Sequence, residues 1–148
     1  MGSTTSVSTS WGTEATPVWK TEQVTQDLRD AMAALPGVVE SPSMFKDGDL
    51  AYWVHGKELA HFEGAGVVDI RLTRGVIRSR RGMLRDDHRV DLRHSGSDWV
   101  TIRYSMPEDR DFVLDLVEEA AAVHRAPPGM TPDPPPTGPG LERRRRFH

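Results

Sequence analysis

The chain has 148 residues, a formal net charge of −3 and no cysteine. That length suits one domain with a single hydrophobic core, and the missing thiols exclude disulfides, thiolate zinc sites and a cysteine nucleophile. No apolar run approaches the roughly 20 residues that span a bilayer, and residues 1–10 lack the basic and apolar parts of a signal peptide, so a cytoplasmic protein is expected. The tail at 127–148 carries four arginines against Asp133 and Glu142, which leaves the body at −5. An acidic body speaks against general nucleic-acid binding.

In chain order, residues 1–19 read as a flexible leader that includes Trp11 and Trp19. Thr21 is placed as a helix N-cap, and Val24, Leu28, Ala31, Met32 and Leu35 recur at helical spacing until Pro36-Gly37. Residues 38–40 fit either a short strand or an entry loop. Ser41-Pro42-Ser43 breaks the chain, Met44 and Phe45 return to the core, and 46–49 form a turn. Residues 50–55 make the first clear strand. Two more follow at 58–63 and 67–72, joined by Gly64-Ala65-Gly66, whose glycines supply the positive φ of a hairpin connection. Thr73 caps a helix over 74–85 that Gly75 and Gly82 weaken. Residues 89–93 and 99–104 alternate as strands around the turn at 95–98. The last helix opens on Ser105-Met106-Pro107-Glu108, a capping-box pattern with an early proline, and stops at Pro127. Residues 127–148 hold seven of the eleven prolines and few apolar side chains, so this tail is expected to be disordered.

The predicted architecture is α+β in two layers, α-β(3)-α-β(2)-α, with helices on one face of a five-stranded antiparallel sheet and a more polar face opposite. The body spans 20–126. Strand alternation puts Val68, Ile70 and Leu72 on one side and Asp69 and Arg71 on the other. With Ala60 and Phe62 turned inward, His61 joins Asp69. The outward set is then His61, Asp69, Arg71, Asp91, Arg93, Trp99, Thr101 and Arg103.

Guanidinium forks suit carboxylate or phosphate and an indole covers an apolar ring, so Arg71, Arg93, Trp99, Thr101 and Arg103 fit an anionic small molecule. The same face also suits a partner or a homodimer. His61 and Asp69 fit an acid–base pair in which the carboxylate sets the imidazole tautomer, with Thr101 or a serine as nucleophile and no G-x-S-x-G elbow. The histidines show no H-x-x-x-H or H-E-x-x-H spacing, so no metal is expected. Residues 71–93 contain eight arginines against three aspartates; without stacking aromatics this reads as a solvated face balanced by the acidic last helix.

WVHGKELAHFEGAGVVDIRLTRGVIR, SDWVTIRY and EDRDFVLDLVEEAAAVH together resemble the small bacterial proteins of the luciferase-domain group, over about 35–128. Their shared pattern is E-[IL]-x-H-F near a D-[IL]-x-L-T hairpin, an S-x-W-V-T strand and an acidic-opening terminal helix. The resemblance brings over no catalytic residues and no cofactor, and the chain is too short for the barrel of flavin-dependent luciferases. The family label implies an oxidoreductase or monooxygenase that would use His61 and Asp69. The topology is similar to secretion-chaperone-like folds, which implies a binding module, often dimeric.

Overall fold

The computed structural model describes residues 17–94 and 96–147. Most of the expected leader lies outside them. Its last residues, Val18 and Trp19, open helix α1 (Val18–Ala33), which starts three residues before Thr21 and has no side-chain cap at Pro17. Val24, Leu28 and Met32 form its buried stripe, as their spacing requires.

Residues 39–42 settle as a strand. β1 (Val39–Pro42) pairs with β2 (Leu50–Val54), which adds a sixth strand to the five expected. β3 (Lys57–Phe62) and β4 (Val67–Arg71) form the central hairpin, followed by β5 (Val90–Leu92) and β6 (Trp99–Arg103). The order across the sheet is β1-β2-β3-β4-β6-β5, and every neighbouring pair is antiparallel. The helix expected over 74–85 is interrupted at Arg80, giving α2 (Arg74–Ser79) and α3 (Arg81–Asp86). Helix α4 (Asp109–His124) begins later than its capping-box pattern implies. Asp109, not Glu108, takes the backbone N–H groups of Ser105 and Met106, at 2.9 and 3.0 Å.

One face of the sheet carries the main core. Tyr52, Ala60, Phe62, Val68, Ile70, Val100 and Ile102 meet Leu28 and Met32 of α1 and Val113, Leu116 and Val117 of α4. The hairpin turn is fixed at Gly66, which has φ +82; a Cβ there would stand 2.9 Å from the Tyr104 carbonyl oxygen. That turn also ties β6 down, since Tyr104 N–H donates to the Gly66 carbonyl at 2.9 Å. Gly66→Ala is therefore expected to lose about 2–3 kcal/mol, combining left-handed backbone strain with displacement of Tyr104. Urea denaturation checks this, and a loss under about 0.5 kcal/mol contradicts it.

The opposite face is covered on one side. The tail expected to be disordered instead crosses it and forms helix α5 (Gly138–Arg146). Leu141 packs with Ala51, Trp53 and Met44 in a second apolar cluster. Arg144 donates to the Gly56 carbonyl at 2.9 Å and Arg145 to the Ser43 carbonyl at 2.8 Å. Proline-rich composition conceals this because a few contacts do the anchoring: Leu141, Arg144, Arg145 and the Asp133 N–H, which donates to His55 Nδ1 at 2.9 Å. No helix among the described residues is long and apolar enough to cross a membrane.

Candidate functional site

The β2–β3 pairing contains the irregularity that builds the site. Tyr52 opposes Ala60 and Trp53 opposes Glu58, so Leu59 is an extra residue in β3. Such a bulge lets two successive side chains, here Leu59 and Ala60, enter the core. Strict alternation would put Glu58 with Ala60; the bulge turns it to the outer face beside His61.

Glu58 is fully buried there. Its carboxylate accepts the Ser43 hydroxyl and the Met44 N–H, both at 2.7 Å, and lies 2.9 Å from His61 Nδ1. The other imidazole nitrogen, Nε2, is 3.1 Å from Asp69 Oδ2 and 3.0 Å from Glu63 Oε2. His61 and Asp69 are directly opposite in the β3–β4 register and each is 5% exposed. Thr101, opposite Asp69 on β6, donates to Asp69 Oδ1 at 2.7 Å. Arg93 reaches both Asp69 Oδ2 at 3.0 Å and the Thr101 hydroxyl at 3.2 Å. The Thr101 hydroxyl is thus engaged from both sides rather than presented as a nucleophile.

Burial disfavours the charged imidazole, but the hydrogen bonds to Asp69 and Glu58 outweigh it and push His61 up to about 9. Burial likewise opposes ionisation of Asp69, and the bonds from His61 and Thr101 with the Arg93 charge overcome it, holding the carboxyl at about 2. The raised histidine stabilises the fold fully below its ordinary value of 6.5 and loses that contribution as pH rises through about 9. The depressed aspartate acts above its ordinary 3.8 and loses its contribution as pH falls through about 2. In chelator-treated buffer, the His61 ring resonances are expected to stay fixed from pH 5 to 7 and move near 9. A midpoint near 6.5 in an NMR titration would contradict this.

Over this polar floor stand two aromatic walls. Phe45 and Trp99 lie 5.5 and 5.3 Å from the His61 ring and meet edge to face at 5.3 Å. Phe45 was expected in the core; it lies instead on the outer face, since Ser43 is held by Glu58 and its hydroxyl accepts the Phe45 N–H at 3.0 Å. Phe45, His61, Glu63, Asp69, Arg93 and Trp99 line an open pocket of about 280 Å³. Arg71 stacks on Trp99, 4.8 Å from the ring centroid, and donates to the Glu58 carbonyl at 2.9 Å.

Of the residues singled out from the sequence, His61, Asp69, Arg93, Trp99 and Thr101 converge, and Arg71 braces Trp99 from beside the pocket. Arg103 does not join them; it pairs with Asp91 on the exposed edge. Arg80 and Arg89, from the arginine-rich stretch, pair with Glu119 and with Asp87 and Asp109. Glu58, Ser43, Phe45 and Glu63 belong to the site and were not singled out. The apolar pair Leu59-Ala60, which interrupts the alternation of β3, was the available signal for Glu58.

The Luciferase domain family model matches residues 56–120, from the β2–β3 turn into α4. The match takes in the floor of the pocket and Trp99, and leaves out Ser43, Phe45 and α5. No curated protein and no solved structure matches the chain.

Proposed function

We propose that this luciferase-domain family protein is a binding module for a small planar molecule carrying an acidic group, held in the outer-face pocket over His61. The observation that carries the reading is the pairing of two aromatic walls, Phe45 and Trp99, with a buried polar floor in about 280 Å³. A ring laid against the Phe45–Trp99 pair gains apolar burial and favourable edge or face contacts. Arg93, half-exposed at the rim, supplies a donor fork for the acid. Helix α5 already covers the apolar part of this face around Trp53, which favours a compact pocket over a broad dimer interface.

Isothermal titration calorimetry with benzoate and 2-naphthoate tests the reading. Both are expected to bind, naphthoate more tightly because it buries more ring surface, and Trp99→Ala is expected to weaken naphthoate at least tenfold. If neither compound binds below about 10 mM, or if Trp99→Ala binds as well as the parent protein, the proposal fails.

A further inference from the structure

We infer that His61, Glu63 and Asp69 form a binding site for one divalent first-row metal ion such as Zn²⁺ or Mn²⁺. One ligand atom from each residue lies within 4.8 Å of the others. His61 Nε2 stands 3.0 Å from Glu63 Oε2 and 3.1 Å from Asp69 Oδ2. Ligands held at 2.0–2.2 Å around a tetrahedral ion stand roughly 3.3–3.6 Å apart, so small side-chain shifts would admit one.

What separates this cluster from an ordinary surface group is how each ligand is held from behind. Buried Glu58 accepts from His61 Nδ1 at 2.9 Å and is itself fixed by Ser43 and the Met44 N–H. That arrangement keeps the proton on Nδ1 and turns the Nε2 lone pair toward the pocket, as carboxylate–histidine–metal triads do. Asp69 gives Oδ1 to Thr101, and Glu63 gives Oε1 to Lys46 at 3.3 Å. In both carboxylates the second oxygen is the one that faces His61. The pocket lined by Phe45 and Trp99 provides the approach and leaves a coordination position open.

With the imidazole protonated, Nε2 turns its N–H toward these carboxylates, 3.1 Å from Asp69 Oδ2, and Arg93 stands 3.0 Å from the same oxygen. Binding an ion releases that proton to solvent and frees Oδ2 from Arg93, whose side chain is 39% exposed and has room to swing out. The spacing of histidines gave no hint of this, because the ligands come from β3, the turn after it and the facing position on β4. The inference stands apart from the aromatic-ligand reading, since carboxylates rather than Trp99 carry it.

The test is calorimetric titration of the chelator-stripped full chain with Zn²⁺ and Mn²⁺, supported by the visible absorption of Co²⁺. One ion per chain is expected. Glu63→Gln, an exposed turn position that the fold tolerates, is expected to weaken the ion at least tenfold, and Glu58→Gln, acting through His61, 10–100-fold. Arg103→Ala, on the exposed edge away from the pocket, should leave ion affinity unchanged, and because the ion is titrated with no organic compound present, this outcome is separate from failure of the organic-ligand reading. Absence of binding below about 1 mM, or an affinity that Glu63→Gln does not alter, overturns the inference.

Discussion

Glu58→Ala is expected to destabilise the protein by about 3–5 kcal/mol, the range found when one member of a buried charged pair is removed. The side chain is fully buried and serves three donors: the Ser43 hydroxyl, the Met44 N–H and His61 Nδ1. Deleting it leaves all three without their acceptor in a site too enclosed for free hydration, and each orphaned donor costs about 1–3 kcal/mol. Glu58→Gln keeps the shape and one carbonyl acceptor, so its loss should be smaller, about 1–2 kcal/mol. Urea denaturation of the two variants separates the effects. An alanine variant within 1 kcal/mol of the parent would mean that the 43–45 segment finds other partners and that Glu58 does not organise the site.

Ending the chain at Ala126 is expected to lose about 2–3 kcal/mol, equivalent to roughly 5–10 °C in Tm for a protein of this size. Leu141 is 5% exposed and Trp53 is completely buried; without α5 both the indole and Ala51 meet water. Arg145 also stops holding the Ser43 carbonyl, so the Phe45 wall loses its outer support. The gain from restored tail entropy offsets part of this, which is why the figure stays below the full value of two large apolar side chains. Leu141→Asp should reproduce most of the loss in the intact chain. Unchanged melting of both variants would show that the tail contributes nothing to the domain.

The sheet was legible because its strands alternate. Val68, Ile70, Val100 and Ile102 face α4 as their spacing requires, and His61, Asp69, Arg93 and Thr101 come together on the other side for the same reason. Glu58 was not read from the sequence, since an added residue in β3 is a property of strand pairing and its one trace is the apolar pair Leu59-Ala60, which an unbulged strand can also carry. The sixth strand was ambiguous: Val39–Pro42 is short, ends in proline and takes its identity from pairing with β2. Helix α5 was hidden by averaging, as 22 proline- and arginine-rich residues outweigh the one leucine that docks.

The extra residue in β3 gives the site tolerance to a kind of genetic change that substitution scanning does not sample. Removing the single codon for Leu59 removes the bulge: Glu58 then precedes Ala60 directly, stays opposite Trp53, and plain alternation keeps it on the outer face with His61. The cost falls on the interior, which loses the fully buried Leu59 side chain while the carboxylate behind His61 keeps its side of the sheet. The face on which the carboxylate stands is thus insensitive to whether the bulge is kept, and one residue fewer between the Gly56 turn and His61 is expected to thin the core before it empties the pocket.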